Sequence, residues 1–536
     1  MLAAAHPVAA GSAMAPRADD GSPARLAVLP AALLAAAGGA AGVLAFPRPG
    51  LWWVAPISAA ALSVAVSGQP LRRSAGLGYL WGLAFFLPLL HWTSTFVGSV
   101  PWLILCFAEA GYVALLAPLL TLVQRLRGWP VWVAAAWIAQ EALRGRAPFG
   151  GFPWGRWAFS QSTAPSKWFA ALGGAPLVGF VVALAGGLLA AAALHALRAG
   201  ARPARAGWAA AALAVGAVAA MAIGAALGPL LRPDPGGPAI TIALVQGNVP
   251  DRGLDFNQRR AQVLDNHVNQ TLELARRVEA GELPRPDLVL WPENASDIDP
   301  YTDASAAAAI TSAVEAIGVP VLVGAILDGP GDDHVTNVGI LWSPTDGPGE
   351  QYAKRHPVPF GEYIPLRSIA RWVSKDVDRV QRDMAAGDGD GRIDGGPVPL
   401  GDVICFEVAY DGLVRSSVSA GAQLLVVQTN NATFGHSGET YQQLAMSRLR
   451  AIEHGRVVAQ VSTSGVSAII AADGSTQARS GELFTPALLV ESVQTRTALT
   501  PATRVGAWPE WALTAAALAA GALGAAHTVR NRERTV

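Results

Sequence analysis

The sequence has little cysteine and little charge, and it lacks several common catalytic motifs. Only two cysteines occur in 536 residues, Cys106 and Cys405, so a disulfide framework is excluded. Charged residues make up 15% of the chain and the formal net charge is zero, so no basic field would attract nucleic acid. There is no G-x-S-x-G serine elbow and no internal repeat, and the histidines lack the spacing of zinc ligands. These absences speak against a nucleic-acid-binding protein, a serine hydrolase and a zinc enzyme.

Hydrophobic sequence, by contrast, is abundant. Hydrophobic residues make up 52% of the chain, and the mean hydropathy is +0.34. A bilayer core of about 30 Å is crossed by roughly 20 apolar residues in a helix. Eight apolar runs therefore predict a polytopic α-helical membrane domain at residues 26–231 with a further helix near the C-terminus: 26–46, 51–67, 77–97, 100–123, 129–143, 174–197, 208–230 and 508–527. Residues 1–25 are predicted to be a disordered tail, and residues 528–536 a short cytoplasmic one.

The distribution of arginines predicts how these spans are oriented. Basic residues follow the second, fourth, sixth and last spans, and cytoplasmic loops of membrane proteins carry an excess of Lys and Arg. With seven spans before it, the following polar region is predicted to lie outside the cytoplasm, and both termini inside. Two features stand apart from this simple pattern. The loop after the fifth span carries four basic residues on the outer side, and Glu109 lies within the fourth span, where an acid indicates either a functional group or an interhelical hydrogen bond.

The polar region, residues 238–497, has the pattern of an α/β domain. Short runs rich in β-branched residues, such as AITIALVQGN, PDLVLWPEN and QLLVVQTNN, indicate buried strands. Two longer segments, NQRRAQVLDNHVNQTLELARRVE and ETYQQLAMSRLRAIEHGR, indicate helices. Strands that alternate with helices favour a layered α/β fold with largely buried strands.

Three segments of this region contain residues that are suited to acyl transfer. Glu293 ends LWPEN, Lys354 and Glu362 lie in YAKRHPVPFGEYIP, and Cys405 lies in VICFEV. Taken singly, each has an ordinary explanation, such as a small core residue for the cysteine or a solvated charge for the lysine. Together they form a complete set, since a carboxylate can accept the thiol proton and an ammonium can stabilise an oxyanion. We therefore predict a cysteine nucleophile that requires neither a metal nor a cofactor.

These motifs resemble a known family. WPE at 291–293, YAK at 352–354, PFGEY at 359–363 and CFE at 405–407 are similar to the Glu, Lys and Cys motifs of the nitrilase superfamily. With eight predicted spans around them, they resemble the bacterial apolipoprotein N-acyltransferase family from about residue 26 to 527. The resemblance implies a membrane domain joined to an extracytoplasmic nitrilase-like catalytic domain, an α-β-β-α sandwich, at residues 238–497.

The resemblance also implies roles for individual residues. Cys405 would be the nucleophile that takes an acyl chain as a thioester, and Glu293 would be the general base and later the acid. Lys354 would stabilise the oxyanion together with the backbone N–H that follows the nucleophile. Glu362 would orient Lys354 or Glu293, and Glu407 corresponds to a further glutamate near the substrate.

A second group of residues is expected to support the site or to contact substrates. Arg144 would lie at the outer end of a membrane helix and hold a lipid phosphate. Phe406 follows the nucleophile where the family often has Tyr, and Phe256 occupies a position where an aromatic residue, often Trp, is expected. Asn430 and Phe434 belong to NNATF, where members often read Asn-Asp-Ala-Trp-Phe. These departures leave the catalytic set in place, but they concern the lid and the preferred acyl donor. The candidate lid segments are 360–375 and 430–440.

The reaction that the resemblance implies has two steps. A membrane phospholipid would donate an acyl chain to the cysteine, and the N-terminal amine of a diacylglyceryl-modified apolipoprotein would then accept it. The implied partners are these two substrates and the surrounding membrane lipids, with no nucleic acid, and a monomer in the cell membrane is expected. Two alternatives stay open at this point: a membrane-tethered amidase that acts on small amides, and a non-catalytic membrane scaffold with an inert nitrilase-like domain.

Overall fold

The chain folds into a helical part that precedes residue 232 and a β-rich part that begins near residue 238. The computed structural model describes residues 25–198, 203–231, 236–249, 256–373 and 375–533. Residues 1–24 of the predicted tail and the last three residues of the chain lie outside these ranges. The helical part contains α1 Val28–Val43, α2 Val54–Ala65, α3 Leu71–Leu89, α4 Thr93–Val97, α5 Ser99–Val123, α6 Trp129–Arg144, α7 Ala170–Arg198 and α8 Pro203–Leu231.

Several of the helices have the length and composition of membrane spans. Within the described ranges, four are long and apolar enough to cross a bilayer: Ser99–Val123, Pro165–Leu197, Gly207–Leu231 and Trp508–Arg530. The other four predicted spans also coincide with helices, namely α1, α2, α3 and α6. These helices are 16, 12, 19 and 16 residues long. Whether each of them crosses the bilayer is not tested, and their role as membrane spans stays a prediction.

The third predicted span, 77–97, is where the helix bounds differ most from the expectation. The helix begins at Leu71 and ends at Leu89, so Arg72 and Arg73 lie in its first turn rather than in a loop. The prediction from apolar runs left these arginines out of the span because they are charged. Their long side chains can nevertheless reach water from a helix end. The C-terminal part of the predicted run forms the separate helix α4. Gly98, with a φ of 85°, divides α4 from α5, and that backbone conformation favours glycine.

The chain after residue 236 contains two mixed sheets and seven α-helices within the described residues, the last of which is the candidate membrane span near the C-terminus. The strands are β1 Ala239–Gln246, β2 Leu288–Leu290, β3 Val321–Asp328, β4 His334–Ser343, β5 Gly347–Ala353, β6 Asp383–Met384, β7 Arg392–Ile393, β8 Leu400–Ile404, β9 Leu424–Thr429, β10 Val457–Ser462, β11 Ala468–Ile470, β12 Thr476–Arg479 and β13 Ala487–Gln494. The helices are α9 Phe256–Glu279, α10 Ala304–Ile317, α11 Arg367–Val373, α12 Asp411–Ser419, α13 Glu439–His454, α14 Pro501–Val505 and α15 Trp508–Glu533.

The order of strands in the sheets brings distant parts of the chain together. One sheet runs β13-β1-β2-β3-β4-β5, with β6 beside β4, and the other runs β12-β11-β10-β9-β8-β7. The central pairs β1–β2, β2–β3, β8–β9 and β9–β10 are parallel. Because parallel strands end at the same edge of a sheet, the residues that follow β8 and β9 lie side by side.

The two sheets pack face to face between layers of helices. Along β1, Ile242 and Leu244 join a core that is shared with strands of the second sheet, whereas Ala243 and Val245 pack against α9 and α10. The alternation follows from the period of two in a strand. The outer face of the second sheet packs with α12 and α13 in a cluster that continues into the membrane helices. The predicted α-β-β-α sandwich beside a helical membrane domain is therefore confirmed.

Buried ion pairs join the two parts. Arg450 in α13 pairs with Asp411 at 2.7 Å and with Glu453. Asp411 also pairs at 2.8 Å with Arg156, which belongs to the segment between α6 and α7. Since each charge has a partner, the cost of burying them is reduced, and the network holds α13 in one position against the membrane domain.

Candidate active site

Cys405 occupies a strained turn at the end of β8. Its φ of 54° is in the left-handed region, which is uncommon for a residue other than glycine, and a short 3₁₀ helix, Cys405–Ala409, begins there. Burial, and next the negative charge of Glu293, raise the pKa of the Cys405 thiol well above its ordinary value, against a smaller lowering effect of Lys354. The resting sulfur is therefore a protonated thiol at neutral pH, and nucleophilic attack requires a base.

Lys354 lies directly after β5 and is fully buried. Its backbone N–H donates to the carbonyl of Asn337 at 2.9 Å, which fixes the end of the strand. Its Nζ lies 3.0 Å from Glu293 Oε1 and 2.6 Å from Glu362 Oε1. Burial by itself would lower the pKa of Lys354, but the two carboxylates outweigh burial and raise that pKa well above its ordinary value. The site therefore keeps a permanent ammonium group between two carboxylates.

Glu293 follows β2 and is held at both carboxylate oxygens. Oε1 accepts from Asn337 Nδ2 at 2.8 Å in addition to the lysine, and Oε2 accepts from the backbone N–H of Asn430 at 2.9 Å. The hydroxyl of Thr463 donates to the Glu293 carbonyl at 3.0 Å. Three donors on one carboxylate fix its direction towards the pocket that contains the lysine.

Glu362 and Glu407 both lie close to this set, but Glu362 is only partly buried and the two make different contacts. Glu362 accepts from the backbone N–H of Val358 at 2.7 Å and faces Lys354. Burial raises the pKa of Glu362, although the ammonium of Lys354 opposes the rise. Of the two partners that the resemblance allows for Glu362, the lysine is the one it contacts.

Glu407 is fully buried, and its carboxylate joins two segments of the site. It accepts from the backbone N–H groups of Ile404, Arg355 and His356 at 2.9, 2.7 and 3.1 Å. The hydroxyl of Tyr352 donates to it at 3.0 Å. These contacts tie the residues that flank Lys354 to the turn of the nucleophile, so Glu407 positions the two segments against each other.

Several residues around the sulfur were not predicted from the sequence. Thr429 Oγ1 lies 3.4 Å and Gln443 Nε2 lies 3.8 Å from Cys405 Sγ. Asn431 Nδ2 donates to Gln443 Oε1 at 2.9 Å and to Glu439 Oε2 at 2.7 Å. The available signals were weak: a polar run directly after β9, and two polar residues spaced i, i+4 on one face of α13.

The hydroxyl of Thr429 has two acceptors within reach, the Cys405 sulfur and the amide oxygen of Gln443. Thr429 Oγ1 also lies 3.0 Å from Gln443 Oε1, and a hydroxyl has one hydrogen to donate. The amide oxygen of Gln443 can only accept, so the threonine hydroxyl donates either to it or to Cys405 Sγ. Gln443 Nε2 points an N–H at the sulfur, where it can stabilise a thiolate once the proton has left.

Glu439 ends this chain of hydrogen bonds and is nearly fully buried. Burial raises its pKa to about 8, with a smaller rise from Glu293, while the hydrogen bond from Asn431 opposes the rise. A carboxyl group with this pKa is largely protonated at neutral pH. Glu439 therefore adds little negative charge near a sulfur that must become a thiolate.

The residue after the nucleophile connects the site to the membrane domain. The Phe406 ring stacks on Phe152 and Trp154, with centroids 5.4 and 5.7 Å away. Phe434 packs edge-on against Trp92, with centroids 5.0 Å apart. Aromatic rings of the membrane domain thus cover one side of the nucleophile loop.

Two other predicted contact residues are engaged within the protein. Arg144 is buried, its Nη1 lies 2.8 Å from Glu109 Oε2, and it also donates to the carbonyls of Phe152 and Trp154. A contact of Arg144 with a lipid phosphate would require this pair to open, and it stays a prediction. The acid inside the fourth predicted span thus forms an interhelical ion pair. Asn430 contributes its backbone N–H to the site, whereas the side chain of Phe256 lies outside the described residues.

One predicted lid segment exposes apolar side chains. Phe360, Leu366, Ile369 and Trp372 are exposed, and Trp372 reaches 88%. Glu362 belongs to the same stretch, 360–375, so any movement of the stretch would also move the carboxylate that contacts Lys354. Its action as a lid stays a prediction.

Family models match both parts of the chain. The chain matches a family model described as the apolipoprotein N-acyltransferase N-terminal domain at residues 38–188, and one described as carbon-nitrogen hydrolase at residues 241–501. Among solved structures, it is similar to a mutant of an amidase from Nesterenkonia AN1 of the nitrilase superfamily. That likeness has a TM-score of 0.37 and 18% identity, and it covers 52% of this chain and 96% of the amidase.

Similar proteins extend over nearly the whole chain. An apolipoprotein N-acyltransferase from Mycolicibacterium smegmatis is 43% identical over 482 residues, which are 88% of this chain and 81% of the relative. One from Chromobacterium violaceum is 31% identical over 506 residues, 91% of this chain and 92% of the relative. With both parts matched in order and at these identities, the chain belongs to the apolipoprotein N-acyltransferase family.

Proposed function

We propose that this membrane protein N-acylates lipoproteins by transferring a fatty acyl chain from a phospholipid through a thioester on Cys405. The observation that carries the proposal is the buried group of charges at the end of β5. There, Lys354 Nζ lies within 3.0 Å of two carboxylates, and both its charge and that of Glu293 act on the Cys405 thiol. An electrostatic site of this kind suits a reaction that passes through an oxyanion.

In the first step, the sulfur attacks an ester carbonyl of the phospholipid. The thiol proton passes to Glu293, a carbon–sulfur bond forms, and the carbonyl oxygen becomes an oxyanion that Lys354 stabilises. When this intermediate collapses, the carbon–oxygen bond to glycerol breaks. Glu293 returns its proton to the departing oxygen, so that a lysophospholipid leaves and a thioester remains.

In the second step, the N-terminal amine of the lipid-modified cysteine of an apolipoprotein attacks the thioester. A carbon–nitrogen bond forms and one amine proton passes to Glu293. The carbon–sulfur bond then breaks, and the proton goes to the sulfur, which restores the Cys405 thiol. Gln443 Nε2, at 3.8 Å, is available to stabilise the sulfur while it carries negative charge.

The membrane domain serves this chemistry because both substrates are anchored in lipid. Moving an acyl chain into water would cost about 0.8 kcal/mol for each methylene group. We further propose that the catalytic domain faces the extracytoplasmic leaflet, with both termini in the cytoplasm, as the arginine-rich loops predict. We also expect a monomer, since every proposed catalytic group comes from one chain.

Two rival functions are less well supported. A membrane-tethered amidase would use the same catalytic groups with water as acceptor, but it gives no role to a membrane domain that packs directly against Phe406. An inert scaffold would have no use for a lysine that is fully buried between two carboxylates, which is an arrangement that costs stability unless every charge is paired.

The proposal is tested by mass spectrometry of the purified full-length protein after exposure to a phospholipid with an isotope-labelled acyl chain. We expect one labelled acyl adduct on the peptide that contains Cys405, and its loss on addition of a diacylglyceryl-modified peptide with a free N-terminal amine. The protein has only one other cysteine, Cys106, which is buried in α5. Cys106→Ala is therefore the matched control for Cys405→Ala. Labelling that persists in Cys405→Ala, or cleavage of small amides without any adduct from phospholipid, would end the proposal.

A further inference from the structure

A cavity lies at the junction of the two domains, apart from the buried catalytic charges. Its volume is about 610 Å³, and it lies between the loop that joins α1 to α2 and the segment that leads into α13. Arg48 comes from the membrane domain, whereas Tyr441, Arg479, His436 and Glu482 come from the catalytic domain. No residue of the proposed catalytic set lines this cavity.

The side chain of Tyr441 brings two arginines together. The guanidinium of Arg48 lies 4.0 Å from the centre of the tyrosine ring, and that of Arg479 lies 5.6 Å from it. Arg48 Nη2 also donates to the tyrosine hydroxyl at 2.7 Å. Cation–π contacts of this kind hold a guanidinium in place without neutralising its charge.

The lining of the cavity carries an excess of positive charge. Among the described residues, neither Arg48 nor Arg479 has a carboxylate oxygen within 4.0 Å. The two arginines and Glu482 leave one net positive charge in the lining, and His436 offers a further donor. One singly charged anion would balance this lining. A guanidinium matches a phosphate oxygen pair in geometry, which favours phosphate over a simple halide.

The surroundings of Arg48 indicate the source of such a phosphate. Its loop connects the end of α1 to the start of α2, and the flanking side chains Leu44, Leu51 and Trp53 are exposed. Apolar and tryptophan side chains exposed at the ends of apolar helices are typical of the boundary between hydrocarbon and headgroups. An arginine at this boundary extends its guanidinium to the level of the lipid phosphates.

We propose that this cavity binds the phosphate group of a membrane phospholipid. The loop 430–438 joins it to the active site, because the backbone N–H of Asn430 contacts Glu293 and His436 lines the cavity. A bound headgroup would therefore lie beside the segment that positions the catalytic base. The inference rests on the proposed function only for the choice of a phospholipid as ligand, since binding requires no turnover.

The test measures lipid retention without acyl transfer. Full-length Cys405→Ala protein in detergent is titrated with dioleoylphosphatidylglycerol, and bound lipid is counted by native mass spectrometry. Adding Arg48→Gln and Arg479→Gln is expected to weaken retention at least roughly tenfold, because two charge-assisted contacts are lost. The matched control replaces two exposed arginines elsewhere, Arg276 and Arg392. It should retain lipid as the parent does.

Two further ligands identify what is recognised. Dioleoylglycerol has the same chains without phosphate, and its retention should be equal in all variants. Excess inorganic phosphate should not displace the phospholipid. Equal phospholipid retention in the double arginine variant and its control would overturn the proposal, and displacement by inorganic phosphate would overturn its assignment to a lipid. Acylation of Cys405 is measured separately, in protein that retains this cysteine. Failure of the lipid-binding proposal would therefore leave the proposed function standing, and failure of the proposed function would leave the lipid-binding result standing.

Discussion

Replacing Lys354 by methionine is the most direct test of the proposed catalytic centre. The change preserves length and apolar volume, but it removes the cation that lies within 3.0 Å of both Glu293 and Glu362. Removal of one partner from a buried ion pair costs about 3–5 kcal/mol of stability. Two carboxylates lose their partner here, so we expect the upper end of that range. Loss of an oxyanion-stabilising donor lowers a rate by about 10²–10³-fold, and acyl-enzyme formation should slow by at least that factor.

The loss of stability should depend on pH in a defined direction. In the unmodified protein the pKa of Lys354 is raised, so its stabilising charge is present throughout the neutral range and is lost only at strongly alkaline pH. Without the ammonium, the already raised pKa of Glu362 rises further. A carboxyl whose pKa is raised by folding binds more protons in the folded state, so stability increases as pH falls. The Lys354→Met variant should therefore melt closest to the parent at acid pH.

A second substitution separates the two effects. Lys354→Met combined with Glu362→Gln removes one of the unpaired carboxylates, and it should recover part of the stability without recovering acyl-enzyme formation. Thermal unfolding is followed across the pH range, and acylation of Cys405 is followed by mass spectrometry. Acylation of the single variant at the parent rate, or a double variant that melts no higher than the single one at neutral pH, would refute the reasoning.

Three further predictions concern groups around the sulfur. The pKa of Glu439 is raised to about 8 from an ordinary value of 4.5, so stability of the parent should fall by up to roughly 1.4 kcal/mol per unit as pH rises through that interval. Glu439→Gln should flatten this dependence in thermal melts, and an unchanged slope would contradict the assignment. Gln443→Leu should slow acylation of Cys405 roughly tenfold at an unchanged melting temperature, because the thiolate loses an N–H donor; a parent-like rate would show that this donor is unimportant. Phe406→Ala should destabilise the protein by about 3–5 kcal/mol through loss of its stacked rings, which thermal unfolding measures, and a change well below 1 kcal/mol would argue against that packing.

The sequence alone was enough to predict the class of protein and the chemistry. Long apolar runs determine the membrane domain, because a helix in a bilayer has no water to satisfy exposed polar groups. The alternation of buried strands with amphipathic helices predicted a layered α/β domain, and the structure has that sandwich. The residue types of Glu293, Lys354 and Cys405 predicted thiol-based acyl transfer, and the family resemblance of their motifs agrees with the relatives that share most of the chain.

Only the tertiary structure decided which groups meet. Lys354 and Glu362 are close in sequence, but Glu293 reaches them through the pairing of β2, β3 and β4, and such long-range pairing is not encoded in local patterns. The partners of the sulfur, Thr429 and Gln443, come from β9 and α13 and have no distinctive motif. Arg144 shows the same limit: its contact with a lipid phosphate stays a prediction, and its ion pair with Glu109 became visible only through packing against α5. Local sequence determines how a segment folds, but the energy of a buried charge depends on neighbours that only the complete fold brings within reach.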